Sequence, residues 1–103
     1  MATVAHAPRL TPVARRLAIR GRVQGVGYRD ATVQAGFLYD VQGWVRNRED
    51  GGVEAHVQGE PAAVEKFVAW CRRGPPLARV QEVESVDVAV DPTLSGFSRK
   101  GWT

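Results

Sequence analysis

Alternation of apolar and polar residues marks the first ordered segment of the chain, residues 15–23. One set of alternate positions is apolar or small and comprises Leu17, Ile19, Gly21 and Val23. The other set is mainly arginine. A period of two residues is typical of a β-strand with one buried face, so we predict a strand here.

The pattern changes to a helical period over residues 29–39. One face at the i, i+3, i+4, i+7 spacing of a core-facing stripe consists of Thr32, Ala35, Gly36 and Tyr39. Val33 and Phe37 form a second apolar pair, so the pattern leaves the buried face of this helix open. Asp40 lies where the helix should end, because aspartate tolerates left-handed backbone better than most residues.

Two further alternating segments, residues 41–47 and 52–58, are joined by a turn that contains Asp50 and Gly51. Asp-Gly between alternating runs is the strongest short-range signal for a β-hairpin. We therefore predict two antiparallel strands that are connected by a tight turn.

The rest of the chain is typical of a helix followed by one long strand. Residues 60–73 carry Pro61, which suits a first helical turn. Their apolar stripe consists of Val64, Phe67, Val68 and Cys71. Residues 78–90 are predicted to form a strand with a bend or bulge near Glu84, because their valines do not share one phase. Residues 96–102 can add a short edge strand.

This order of elements, β-α-β-β-α-β, predicts an α+β fold of the ferredoxin-like split βαβ type. In that architecture two helices cover one face of an antiparallel sheet, and the first and third strands lie in its middle. A short fifth strand would extend the sheet. We assign residues 15–103 to this one domain, and residues 1–14, which include two prolines, to a flexible N-terminal arm.

Composition and charge narrow the function classes only slightly. The chain has 103 residues, is 44% hydrophobic and 24% charged, and carries a formal net charge of +3. That charge could favour an anionic ligand but is too small to indicate nucleic acid by itself. One cysteine, Cys71, excludes an intrachain disulfide, and no apolar run approaches the roughly 20 residues that span a bilayer. We therefore expect a cytoplasmic, monomeric protein.

Candidate chemistry lies where the first strand meets the first helix, in the segment GRVQGVGYR at residues 21–29. Gly25 and Gly27 permit the positive φ angles with which successive main-chain N–H groups can point at one spot. Such a nest at a helix N-terminus binds phosphate and other anions, and Arg29 could add a bidentate grip. Spacing alone leaves equally open that the glycines only turn the chain and that Arg29 is solvated.

This segment, together with GWVRNREDGGVE at residues 43–54, closely resembles the two signature segments of the acylphosphatase family. The resemblance extends over about residues 15–99 and includes the order of elements. It implies the fold described above and the hydrolysis of acyl phosphates, which are mixed anhydrides of a carboxylic acid and phosphoric acid. It also implies that no metal and no organic cofactor take part.

The resemblance assigns site residues by motif. It implies that Arg29 binds the phosphoryl group and that Asn47 positions the attacking water. The loop that would supply main-chain N–H groups for phosphate binding consists of Gln24, Gly25, Val26, Gly27 and Tyr28. The expected ligands are a small-molecule acyl phosphate and inorganic phosphate or other small anions.

Two positions depart from the family pattern. Tyr39-Asp40 stands where leucine-glycine is usual, and Gly36 stands where alanine is common. Glycine in a helix interior costs roughly 0.5–1 kcal/mol relative to alanine. Both departures concern local stability and leave the expected chemistry unchanged.

The remaining chemistry-bearing side chains favour structural roles. His6 and His56 are the only histidines, and with one cysteine and no clustered carboxylates they predict no metal site. Cys71 lies on the apolar stripe of the second helix, which predicts a buried and inert thiol. Trp44 is expected to pack, as is Trp70, whereas Trp102 has no predicted role.

Two rival functions rest on the same residues. A non-catalytic module of this fold would keep the anion-binding loop, and an assay of acyl phosphate hydrolysis would separate it from an enzyme. An RNA-binding sheet would use the face that carries Arg16, Arg20 and Arg22. RNA-recognition sheets stack bases on aromatic side chains of their central strands, which are absent from these faces. We therefore expect a solvated face, with no nucleic-acid or membrane partner.

Overall fold

The computed structural model describes residues 11–101 and, within them, contains five strands and two helices. In chain order these are β1 (Val13–Arg22), α1 (Tyr28–Leu38), β2 (Gln42–Asn47), β3 (Val53–Gly59), α2 (Pro61–Arg73), β4 (Arg79–Val88) and β5 (Phe97–Arg99). The predicted order and the short fifth strand are therefore confirmed.

The first strand begins earlier than the sequence pattern indicates. Val13 and Ala14, which the prediction places in the arm, belong to β1 and pair with β3. Their pairing extends the ladder of β1 beyond the alternating segment that predicted it. The rest of the predicted arm that precedes residue 11, with His6, and the terminal Trp102 lie outside the described residues.

The strands form one sheet in the order β4-β1-β3-β2-β5. Three of its pairings are antiparallel, and β1 and β3 lie in the middle of these four strands, as predicted. β5 instead pairs parallel with β2, so the complete sheet is mixed. The chain leaves β4 at one edge, crosses to the other and re-enters beside β2 in the same direction. β1 and β2 also run in the same direction, so the C-terminal ends of both strands lie at the same end of the sheet.

The irregularity of β4 lies near Gln81 and not near Glu84, where it was predicted. The register of β1 against β4 shifts by one residue just before Gly21, which pairs with Val80. The extra residue of this bulge allows Val80 and Val83, three positions apart, to pack against the same core. The bulge therefore explains why Val80 and Val83 do not share one phase, whereas Val86 and Val88 lie on the opposite face of the sheet.

The structure settles which face of α1 is buried. Thr32, Ala35 and Gly36 face the core, whereas Phe37 is 63% exposed. A Cβ added at Gly36 would lie 2.4 Å from the ring of Phe97. Glycine at this position therefore lets the end of α1 pack closely against the first residue of β5, while Arg99, the last residue of β5, reaches Asp30 in the first turn of α1.

The face of the sheet opposite the core is exposed at Arg20 and Arg22, as predicted, but it is covered around Trp44 and His56. Trp44 is 9% exposed and His56 only 3%. The Trp44 ring stacks with His56 at a centroid distance of 6.0 Å. Arg16 lies over that ring at 5.0 Å and Lys100 at 4.3 Å. An aromatic ring covered in this way cannot stack a nucleic-acid base.

Candidate active site

The link between β1 and α1 passes twice through left-handed backbone. Gly25 and Gly27 have φ angles of +75° and +78°, which glycine adopts at no steric cost. The Gly27 carbonyl accepts the Ala31 N–H at 3.1 Å, and among residues 11–101 no side chain caps the helix N-terminus. Because the first N–H groups of a helix have no intrahelical partner, this end of α1 can donate to an anion.

Tyr28, the first residue of α1, is anchored in the core. It is 1% exposed, and its hydroxyl donates to the main-chain oxygen of Cys71 at 2.8 Å. That oxygen has no helical partner, because Pro75, four residues later, lacks an N–H. Burial raises the pKa of the Tyr28 hydroxyl, with the neighbouring Cys71 adding to the shift, so the group remains a donor.

The thiol of Cys71 has no part in this site. It lies on the buried face of α2 and is fully buried. Burial raises the pKa of the thiol to about 12, so the nucleophilic thiolate is not formed near neutral pH. The predicted burial of this cysteine is confirmed.

A cavity of about 180 Å³ opens at the N-terminus of α1, beside the end of β2. It is lined by Val23, Gly25, Gly27, Tyr28, Arg29, Asp30, Asn47 and Arg99. Small-molecule pockets typically have roughly 300–1,000 Å³, so this one suits a small anion better than a whole larger ligand. It brings together Arg29 and Asn47, which come from separate sequence motifs.

Arg29 and Asn47 present polar groups to this cavity that no other described residue engages. The side chain of Arg29 is half-buried and makes no ion pair or hydrogen bond within residues 11–101. Asn47 is the last residue of β2, and its Oδ1 is buried without a hydrogen-bond partner in the same range. Rotation of the carboxamide exchanges Oδ1 and Nδ2, so Asn47 can turn either an acceptor or a donor toward the cavity.

Sequence reasoning missed Asp30 and Arg99, which also line the cavity. Arg99 Nη1 lies 2.6 Å from Asp30 Oδ1, and this ion pair joins β5 to the first turn of α1. Both side chains are about half exposed or more, so the pair contributes little to stability. Its effect on the site is electrostatic, because Asp30 offsets the charge of Arg99. Of the two arginines that line the cavity, Arg29 is then the one without a paired carboxylate in the described residues.

Two members of the predicted loop do not line the cavity. Val26 packs against the core. Gln24 turns its side chain the other way, and its Nε2 donates to the main-chain oxygens of Arg48 and Gly52. The loop therefore has residues that face the cavity, namely Gly25, Gly27 and Tyr28, and residues that attach it to the rest of the fold.

A larger cavity of about 560 Å³ lies at the opposite end of the sheet. It is lined by the start of β2, the end of β3 and the residues that follow β4, including the carboxylates of Asp40, Glu60 and Asp91. Neither Arg29 nor Asn47 reaches it. We therefore place the candidate site at the smaller cavity, where the unengaged polar groups converge.

No group of three or more histidine, cysteine, aspartate or glutamate side chains in residues 11–101 is arranged to hold a metal ion. Within the same residues, no helix combines the length and apolar character that crossing a bilayer requires.

Comparisons with known proteins agree in one result. The family model described as Acylphosphatase matches residues 15–99. The chain is 53% identical to an acylphosphatase of Anaeromyxobacter dehalogenans over 81 residues, which are 77% of this chain and 87% of that protein. Its structure is similar to an acylphosphatase from Coxiella burnetii, with a TM-score of 0.82 and 28% identity, covering 86% of this chain and 93% of the other. For the acylphosphatase of Bacillus subtilis the TM-score is 0.81 at 31% identity, covering 85% and 98% of the two chains.

Replacing Tyr28 by phenylalanine tests the anchor at the start of α1. We expect Tyr28→Phe to lower the free energy of unfolding by about 1–3 kcal/mol, because the Cys71 carbonyl would be left buried without a donor. Urea denaturation measures this change. The control Tyr39→Phe removes a hydroxyl that engages no other described residue and should change it by less than about 0.5 kcal/mol. An unchanged midpoint for Tyr28→Phe would show that the hydrogen bond does not hold the helix start.

Proposed function

We propose that this chain, which belongs to the acylphosphatase family and hydrolyses acyl phosphates, cleaves them with Arg29, Asn47 and the amides of residues 24–28, without a metal or cofactor. Its substrate is a small molecule and phosphate is its product. One observation carries the assignment of residues. Arg29 and Asn47 come from different elements, yet both line one small cavity at an uncapped helix N-terminus, and no other described residue engages either side chain.

The phosphoryl group is bound by main-chain N–H groups and by one guanidinium. The left-handed turns at Gly25 and Gly27 support this role, because they direct the chain around the uncapped start of α1. The helix N-terminus contributes roughly half a positive charge. Arg29 adds a planar fork that can donate to two phosphoryl oxygens at once. Because these donors are held before substrate arrives, they stabilise the charge of the transition state without reorganising.

Asn47 orients the water that attacks phosphorus. A carboxamide is too weak a base to remove a proton, so its role is to hold the water in line with the bond that breaks. The unpartnered Oδ1 supports this assignment, since a buried acceptor without a donor is costly. Position and electrostatics dominate phosphoryl transfer in general, which is why an orienting group is sufficient.

The reaction needs no strong general acid, because the leaving group is a carboxylate. Water oxygen forms a bond to phosphorus as the bond between phosphorus and the acyl oxygen breaks. The electron pair of that bond leaves with the carboxylate, and a proton of the water passes to a phosphoryl oxygen. Carboxylate and dihydrogen phosphate result, so atoms and charge balance.

We also propose that the protein acts as a monomer in the cytoplasm, without nucleic-acid or membrane partners. All of the proposed site residues come from one chain, so the site is complete without a second copy. The single cysteine is compatible with a reducing compartment. The cover of Arg16 and Lys100 over Trp44 argues against an RNA-stacking sheet.

Asn47→Ala tests the water-positioning role. We expect kcat for benzoyl phosphate to fall by 10²-fold or more, about the effect of removing one transition-state hydrogen-bond donor. Inhibition by inorganic phosphate should be largely kept, because the phosphoryl cradle, which consists of the Arg29 guanidinium and the main-chain amides of residues 24–28, is intact. The assay contains a metal chelator, which should leave wild-type activity unchanged. The matched control Gln34→Ala truncates an exposed carboxamide on α1. Full activity of Asn47→Ala would refute the role of Asn47, and loss of wild-type activity in chelator would refute metal independence.

Arg29→Lys tests the phosphoryl grip. Lysine keeps the charge but lacks the bidentate fork, so we expect phosphate inhibition to weaken about 10- to 100-fold, the equivalent of losing about 1.5–3 kcal/mol of charge-assisted hydrogen bonding. The ratio kcat/KM should fall at least as much. Arg73→Lys, at an exposed position of α2, is the control. Wild-type phosphate inhibition in Arg29→Lys would remove Arg29 from the binding site.

A further inference from the structure

The side chain of Gln24 joins two parts of the site that are distant in sequence. Its Nε2 donates to the main-chain oxygens of Arg48 and Gly52, both at 2.8 Å. Gln24 belongs to the loop before α1, whereas the two acceptors belong to the hairpin between β2 and β3. A primary amide nitrogen carries two hydrogens, so one nitrogen can serve both carbonyls at once.

The two acceptors lie at the two ends of the hairpin loop, next to the strand pair that contains the candidate water-positioning residue. Arg48 directly follows Asn47, and Gly52 directly precedes Val53, with which Asn47 pairs across the hairpin. Gln24 therefore holds both ends of the hairpin loop immediately beyond the pair that contains Asn47.

Within residues 11–101, the other hydrogen bonds and ion pairs of the hairpin loop lie within the hairpin itself. The Arg48 N–H donates to the Gly52 carbonyl at 2.9 Å, and the Gly52 N–H donates to Asp50 Oδ1 at 2.9 Å. The Arg48 guanidinium also lies 3.2 Å from Asp50 Oδ2. These contacts shape the turn but do not fix its distance from the phosphate loop. Among the side chains of residues 11–101, that link is made by Gln24.

We propose that Gln24 is a positioning residue, whose side chain sets the distance between the phosphoryl cradle and Asn47. This inference rests on the proposed function and adds to it a role that the family motif does not assign here. Residue 24 was predicted only as a source of a main-chain N–H. Its side chain has a separate role, which is to hold the hairpin at a fixed distance from the loop through two hydrogen bonds.

The chemistry of the two acceptors determines which substitutions are informative. Gln24→Leu keeps the approximate size of the side chain and removes both donors. Gln24→Glu keeps its shape but presents only acceptors to two carbonyl oxygens, so it repels the hairpin. Either variant should let Asn47 move relative to the bound phosphoryl group. A displacement of about 1 Å in such a site can cost about 10²-fold in rate.

A double-mutant cycle between Gln24 and Asn47 separates positioning from mere stabilisation of the fold. We measure kcat for benzoyl phosphate and inhibition by inorganic phosphate in wild type, Gln24→Leu, Asn47→Ala and the double variant. We expect Gln24→Leu to lower kcat about 10- to 100-fold with phosphate inhibition within about threefold of wild type. The double variant should be within about twofold of Asn47→Ala, because Gln24 acts through Asn47. Gln34→Leu, on the exposed face of α1, should behave as wild type.

Each other outcome overturns the inference. Multiplicative losses in the double variant, or weakened phosphate inhibition in Gln24→Leu, would show that Gln24 supports only the loop. Unchanged kcat in Gln24→Leu would show no role. Gln24→Glu is measured in parallel, and thermal unfolding checks that the variants are folded. If both Gln24 variants are unfolded, Gln24 is needed for folding and the positioning role is refuted. Normal kcat in Asn47→Ala would refute the proposed function itself, a result distinct from all of these.

Discussion

The site depends on one constraint, the left-handed backbone at Gly25 and Gly27. A residue with a side chain rarely adopts such φ angles, and without them β1 could not pass directly into α1 with the helix N-terminus facing the cavity. The first N–H groups of that terminus have no intrahelical partner, which is the arrangement that binds anions at helix N-termini in general. Tyr28 fixes the same turn from the inside, because its buried hydroxyl satisfies a carbonyl that Pro75 leaves without a donor. Arg29 follows Tyr28 directly, so the anchor also directs the guanidinium.

The sheet order supplies the second half of the site. β1 and β2 both pair antiparallel with β3, so they run in the same direction and their C-terminal ends lie at the same end of the sheet. The loop that follows β1 therefore lies at the same end of the sheet as Asn47, the last residue of β2. Gln24 bridges the gap that β3 leaves between them, through the two hairpin carbonyls. A catalyst that works by position needs this kind of fixed spacing more than it needs reactive side chains.

Local patterns in the sequence predicted most of what is local in the structure. The alternating strands, the apolar stripe of α2 and the Asp50-Gly51 turn each depend on neighbours within a few residues. What the sequence could not predict depends on pairing across the sheet. The bulge at Gln81, the parallel β5 with Arg99, the covered Trp44 and the direction of the Gln24 side chain all require knowing which strands are adjacent. The local pattern made Arg29 a candidate but left its role open, and Asn47 was predicted only by resemblance, because spacing alone could not show that a loop and a hairpin share one cavity.

In the proposed site, main-chain amides of the loop and the Arg29 guanidinium receive a phosphoryl group beside Asn47. The most direct measurement is a titration of the ¹⁵N-labelled protein with inorganic phosphate in the presence of a chelator, followed through its amide and guanidinium resonances. We expect the amide resonances of Gly25, Gly27 and Tyr28 and the Nε–H resonance of Arg29 to shift together and to saturate with one dissociation constant. Saturating shifts on another surface, with these resonances unmoved, would contradict the proposed site.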